Sequence, residues 1–376
     1  MSSNQISGFT FVFLFISFLI GLSLGDVHTA FDVSMNIEAG GCVQNDKTFE
    51  VTAVRDAFTE TMEMVGLMQT AIVDIQEGRE LPAVGWMFNT LFGIQATEEL
   101  NDRNLERSQL QMDALSQMKN LFEKLVDHSR DDKPNSRLPN AKTAPKDLRD
   151  PGKPRVTPDK TRIFCNNGWI RATGFVIQTI EGVDVVTSYS LPRNSGPPVT
   201  HWWDRKLDFY LVPSTELVKP EDTVCGNNNA AFTSTEVNVI SFCPRQFERP
   251  TVLATMSAPF PAALPIESLD SFNSMSMTFL HEYTHLVGRI SLGTEEKPLP
   301  DVNLFPEHYQ FPVATKLLAN SGTSAALRNA DSYALLGVAL KLSQCDWRDG
   351  KCRSTGYWAA LRADTAARSG NGPSAS

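Results

Sequence analysis

Ten residues, Thr278-Phe279-Leu280-His281-Glu282-Tyr283-Thr284-His285-Leu286-Val287, constrain this chain more than any other stretch. Read as a helix, they set His281 and His285 one above the other, because residues four apart share a helical face. Two imidazole nitrogens can then be directed at one metal ion. The carboxylate of Glu282 lies beside them, where it can take a proton from an activated water and return it to a leaving group. The pattern H-E-x-x-H arises by chance in only roughly 1% of chains this long. Upstream, Leu269, Phe272, Met275, Ser276, Phe279 and Leu280 recur at three- and four-residue spacing. That spacing predicts a helix with one apolar face running through the motif, and Gly288 supplies a stop within a turn of His285. The competing reading is a core helix that happens to bury two histidines.

Residues 1–25 contain no charged side chain, and Phe9 to Leu24 is almost wholly apolar. The apolar run is short for a membrane span and ends in the small residues Ser23-Leu24-Gly25, so a cleaved signal peptide is expected, with an uncleaved anchor as the alternative. Six cysteines follow, Cys42, Cys165, Cys225, Cys243, Cys345 and Cys352. An even number in an exported chain predicts three disulfides, for which fifteen pairings are open. Closeness in sequence favours Cys225 with Cys243 and Cys345 with Cys352, leaving Cys42 for Cys165; free buried thiols are the alternative. The expected location is secreted and extracellular, with no stable membrane association once the leader is removed. No N-x-S/T sequon is present, so such a product would lack N-linked glycans. A net charge of -9 and the absence of any basic stripe interleaved with aromatics argue against nucleic acid as a partner.

From Asp46 to about Arg130 the apolar residues follow a helical period. Val51, Val54, Phe58, Met62, Val65, Met68, Ile72 and Ile75 form one stripe that Gly78 ends. Trp86-Met87-Phe88 with Leu91-Phe92 form a second cluster. Thr97 is placed as the N-cap of a third helix carrying Leu100, Leu105, Leu110, Leu115, Met118, Leu121 and Leu125. The region 26–128 is thus helical, either a pro-segment, an N-terminal part of the domain that follows, or an independent interaction module. Between 129 and 160 six prolines among charged residues mark a linker or long loop. Strand signals begin after it, at Arg162–Cys165, Ala172–Ile180 and Val183–Tyr189, and again from Thr235 to Cys243. That last strand lies just upstream of the motif helix, where it can hold an extended peptide by its backbone. His201, beside Trp202 and Trp203, is a weaker ligand candidate, better read as a packed or surface residue.

From Cys225 to about residue 342 the chain resembles the deuterolysin-like aspzincins, in particular the peptidyl-Lys metalloendopeptidase domain of fungi. Three pieces carry the resemblance: Val239-Ile240-Ser241-Phe242-Cys243-Pro244-Arg245-Gln246-Phe247, the H-E-x-x-H motif itself, and Asn329-Ala330-Asp331-Ser332-Tyr333. The resemblance implies one Zn2+ held by His281, His285 and an aspartate farther along, Glu282 as general base and acid, and a tyrosine that donates to the oxyanion. The family's Gly-Thr-x-Asp-x-x-Tyr segment is altered here. Gly293-Thr294-Glu295-Glu296 puts Glu296 at the aspartate position without a following tyrosine, whereas Asp301 and Tyr309 precede Ala314–Ala319 in the family's order. The alignment therefore favours Asp301 as third ligand and Tyr309 as oxyanion donor, with Glu296 or Asp331 as alternative ligands. His308 is read as a cleft or surface residue. In lysine-specific members the Asn-Ala-Asp-x-Tyr segment supplies acids to the pocket for the substrate lysine. Asp331 matches one of them, but the second position is Ala334, which weakens the implied preference for basic side chains.

These readings predict an α+β, zincin-type fold with a helical N-terminal half, a small antiparallel sheet and the H-E-x-x-H helix. The expected boundaries are a signal peptide at 1–25, the helical region 26–128, the linker 129–160, a metallopeptidase domain at 161–363 and a tail at 364–376. The implied function is secreted, zinc-dependent endopeptidase activity on peptide or protein substrates. The alternative is a secreted binding or effector protein on a degenerate metallopeptidase scaffold.

Overall fold

The computed structural model of the chain describes residues 26–36, 40–43, 49–78, 82–94, 105–130, 160–180, 183–190, 201–204, 209–211, 225, 229–235, 238–253, 268–292, 295–299, 310–343 and 345–353. The leader, Thr97, most of the linker, Asp301, His308, Tyr309 and the tail lie outside them. Among the described residues the fold is mixed α+β, with eight α-helices.

A single turn of helix, α1 (Val27–Ala30), leads into β1 (Phe31–Val33), and three helices follow: α2 (Phe49–Gln76), α3 (Pro82–Phe92) and α4 (Leu105–Arg130). The strands β2 (Thr161–Phe164), β3 (Ile170–Ile180), β4 (Val183–Ser190), β5 (His201–Asp204), β6 (Phe209–Leu211), β7 (Ala231–Ser234) and β8 (Val239–Phe242) come next. The motif helix is α5 (Met275–Val287). It is followed by the hairpin β9 (Arg289–Leu292) and β10 (Glu295–Pro298), then by α6 (Phe311–Ser321), α7 (Thr323–Ala326) and α8 (Ala330–Lys341).

The N-terminal helices are the wall against which α5 is buried. The predicted stripe on α2 is observed, with Val54, Phe58, Met62, Val65, Met68, Ile72 and Ile75 all buried and Val51 partly so. Phe31, Phe58, Phe279, Tyr283 and His128 meet ring against ring, with centroids 5.4–5.6 Å apart across the closest pairs. Polar contacts lock the same junction. The Thr61 hydroxyl donates to the Ser276 carbonyl at 3.0 Å, and the Tyr283 hydroxyl donates to the Leu125 carbonyl at 2.8 Å. The buried Glu60 carboxylate accepts from Ser276 Oγ and from the Leu253 amide. Gly337 of α8 allows a close helix crossing, since a Cβ there would lie 2.7 Å from Leu280 and 3.3 Å from Met64.

Several expectations need correction. Leu110 is 67% exposed, not core. The buried line on α4 runs through Gln111, Leu115, Met118, Phe122 and Leu125, and the five-residue steps Leu100-Leu105-Leu110 do not keep to one helical face. Helix α5 begins only at Met275, because Ser274 caps it by accepting the Met277 amide at 3.2 Å. Leu269 and Phe272 are buried, but from a 3-10 turn ahead of the cap.

The sheet beneath α5 is mixed, not antiparallel. Its order is β1-β2-β8-β7, with β1/β2 and β2/β8 parallel and β7/β8 antiparallel. The predicted strand from Thr235 to Cys243 is shorter, starting at Val239 after a turn through Asn238 at φ 50°. All four residues of β8 are buried, as expected of a central strand covered on both faces. It is therefore not an edge for peptide; among the described residues that edge belongs to β7. A second sheet, β4-β3-β5-β6, is antiparallel throughout and contains His201, opposite Thr173.

The three disulfides are Cys42–Cys165, Cys225–Cys243 and Cys345–Cys352, the pairing expected from the spacing. Among the described residues no helix is long and apolar enough to cross a membrane.

Candidate metal centre

His281 and His285 stand one turn apart on α5, and their Nε2 atoms are 3.0 Å from one another, with ring planes at 84°. Each ring is fixed from behind. The Nδ1 of His285 lies 2.7 Å from the Leu299 carbonyl oxygen. A carbonyl only accepts, so that nitrogen carries the proton. The Nδ1 of His281 lies 2.9 Å from Asp331 Oδ1, and donates to the carboxylate in the same way. In neutral rings held this way each Nε2 keeps its lone pair, and the two nitrogens face each other across 3.0 Å. Two lone pairs at this distance repel, and a cation between them turns repulsion into ligation. Two nitrogens bound to one tetrahedral zinc at about 2.0–2.1 Å would lie about 3.3 Å apart, within a few tenths of an ångström of the observed separation. The spacing of these two nitrogens is thus one that a shared zinc ion would fit.

The local sequence explains the anchors. Gly288 caps α5, its amide donating to the Thr284 carbonyl at 2.7 Å, and a Cβ at this position would meet that carbonyl and the Leu299 side chain at 2.3 and 2.2 Å. The hairpin β9–β10 then returns the chain so that Leu299 lies against Gly288, its amide donating to the Gly288 carbonyl at 3.3 Å. Asp331 sits in the first turn of α8, where the unsatisfied amides of the helix start favour a carboxylate.

Glu282 is buried, with only 6% of its surface exposed, and lines a pocket of about 270 Å³ together with His281 and Asp331. Other walls are Asn229, Ala230 and Ala231 at the start of β7, and Met277 and Thr278 one turn back along α5. The Thr233 hydroxyl donates to the Glu282 carbonyl at 3.2 Å, tying β7 to the motif. The Cys225–Cys243 disulfide and the Cys243 amide, which donates to the Ala230 carbonyl at 2.9 Å, hold the β7 side of the pocket.

Of the predicted site residues, the structure brings together His281, His285, Glu282 and Asp331. Asp331 lines this pocket, and one of its oxygens is engaged by His281. Its Oδ2 is buried without a hydrogen-bond partner among the described residues. Glu296 lies on β10 opposite Ser291. Asp301 and Tyr309 lie outside the described residues. Among the described residues no group of three or more His, Cys, Asp or Glu is arranged as a metal site. Tyr333 and Tyr283 are not oxyanion donors: each hydroxyl is buried and donates to a carbonyl, of Leu327 and Leu125 respectively, and burial raises both phenols above the ordinary tyrosine value. Sequence reasoning did not find the Leu299 carbonyl, Arg249 or Asn273. A backbone carbonyl leaves no mark in sequence, and nothing in Phe247-Glu248-Arg249-Pro250 distinguishes Arg249 from a surface residue.

No protein-family model and no curated protein matches the chain.

Proposed function

We propose that this protein is a zinc-dependent endopeptidase of aspzincin type, acting on extended peptides outside the cell. The observation that carries the reading is the facing Nε2 pair, with both Nδ1 atoms anchored and Glu282 beside it in a pocket. His281 and His285 would hold the ion with Asp301 as third ligand, in the manner the resemblance implies. When bound, zinc supplies Lewis-acid polarisation of the scissile carbonyl and a water of lowered pKa.

The chain's own groups do the rest. The Glu282 carboxylate accepts a proton from the attacking water and passes it to the leaving amine. Asp331 and the Leu299 carbonyl keep the two imidazoles in the Nε2-ligating tautomer. The outer edge of β7 offers backbone groups to an extended substrate. Tyr309 is proposed as oxyanion donor. A basic substrate side chain would be read by Asp331 Oδ2, the oxygen that His281 leaves unused.

The test is metal content together with hydrolysis of an unfolded protein, for the parent and for Glu282→Gln. The variant should retain zinc and lose several orders of magnitude in rate. Unchanged proteolysis in Glu282→Gln would end the reading. A parent that binds zinc yet cleaves nothing would favour the non-catalytic alternative, which the altered Gly293-Thr294-Glu295-Glu296 segment motivates.

A further inference from the structure

The pocket changes character along its length. At the His281 end its charged groups are the carboxylates of Glu282 and Asp331; toward the start of α5 its walls include Arg249 and Asn273. Arg249 Nη1 donates to Asn273 Oδ1 at 2.7 Å. That bond uses one of five guanidinium donors and meets a neutral acceptor. Among the described residues no carboxylate pairs with Arg249, while partial burial and Arg245 both weaken its hold on its proton relative to an ordinary arginine. A half-buried cation whose charged neighbour is a second cation is unfavourable in isolation. A bound carboxylate would meet two of the fork's remaining donors in bidentate geometry.

Placement fixes the reach. Asn273 lies two positions ahead of Met275, where α5 begins, and His281 stands six positions into the helix, about 9 Å at the helical rise of about 1.5 Å per residue. An extended peptide advances about 3.3 Å per residue, so the helical part alone corresponds to about three residues, and the step from Met275 back to Asn273 adds to it. We infer that Arg249, held by Asn273, is a carboxylate-reading subsite, taking the carboxylate of an Asp or Glu side chain or of a peptide terminus about three to four residues from the scissile bond. The inference rests on the peptidase reading. It differs from general attraction of anions, because the chain's net charge of -9 and the acids at the other end of the pocket oppose an anionic peptide elsewhere.

The experiment uses the zinc-loaded full chain and neutral peptides in which one glutamate is moved through every position. Each peptide is paired with its glutamine counterpart and made with either a free or an amidated C-terminus. At one register glutamate should raise kcat/KM about tenfold over glutamine, the order of one charge-assisted hydrogen-bonding contact. A gain that persists in the amidated series assigns the side chain as source; a gain seen only with the free acid at one peptide length assigns the terminus. Arg249→Gln should bring the ratio close to one, and Arg249→Lys should keep part of it. Calorimetric binding of the preferred peptide and its glutamine counterpart to Glu282→Gln should show the same order of preference without turnover. A ratio flat at every register, or kept in Arg249→Gln, overturns the subsite. If no peptide is cleaved while Glu282→Gln binds the glutamate peptide through Arg249, the peptidase reading fails and the subsite stands. Cleavage with no register preference removes the subsite and leaves the peptidase reading intact.

Discussion

Asp331 reaches His281 because a helix starts where the chain returns to α5, and this contact sets what each residue can be asked to do. Holding the Nδ1 proton of His281, Asp331 orients the ring and leaves its Nε2 lone pair for a ligand. Asp331→Asn should therefore weaken zinc affinity about 10–100-fold, measured by competition with a chromophoric chelator. Affinity equal to the parent's would confine Asp331 to the substrate pocket. The third ligand is tested in the same assay. Asp301→Ala should lower zinc affinity and activity together, and Glu296→Ala should change neither appreciably; the opposite pattern would mean that the shorter spacer is the ligating one. The two histidines and Glu282 were legible in the sequence because helical spacing alone brings them together. The Asp331–His281 and Leu299–His285 contacts were not, since each depends on where separate elements pack.

At the scale of elements, α5 and α8 bury tyrosines whose hydroxyls donate to backbone carbonyls. Burial raises the phenols of Tyr283 and Tyr333 above the ordinary value near 10. Below that pH both the folded and unfolded chains keep the protons, and the stabilising contribution is fully present. Above it the unfolded chain ionises first, so stability falls as pH rises, by about 1.4 kcal/mol per tyrosine for each further pH unit. Urea midpoints should fall between pH 9 and 11, and Tyr333→Phe should make the decline shallower. A flat profile over that range would show that these hydroxyls reach solvent. The helices were legible because long stripes such as Val54 to Ile75 repeat the period many times. β1 was not: three residues, Phe31-Asp32-Val33, carry too little alternation to stand out, and its parallel partner begins at Thr161. The uniform burial of β8 likewise follows from its central place in the sheet, which no local pattern encodes.

For the whole molecule, the disulfides differ in what they constrain. Cys42–Cys165 spans 123 positions, against 18 for Cys225–Cys243 and 7 for Cys345–Cys352. Loop-closure entropy assigns them about 5, about 3 and about 2–3 kcal/mol respectively. The double replacement Cys42→Ala, Cys165→Ala should thus lower the unfolding free energy most, read by urea titration beside the other two pairs. Equal losses for all three would show that local strain, not loop length, sets the effect.

The parallel pairing of β1 with β2 also orders events in time. Phe31 pairs with Thr161, 130 positions later, and Arg162 in turn pairs with Val239. At a synthesis rate of about 5–20 residues per second, β1 waits about 7 to 26 s for its neighbour. The sheet is not continuous until residue 239 of 376 has been made. Throughout that interval the methionine- and phenylalanine-rich faces of α2 and α4 exist without α5, the helix they are shaped to cover. The half-made chain therefore exposes apolar surface that the finished one buries, and slowing synthesis would prolong the exposure.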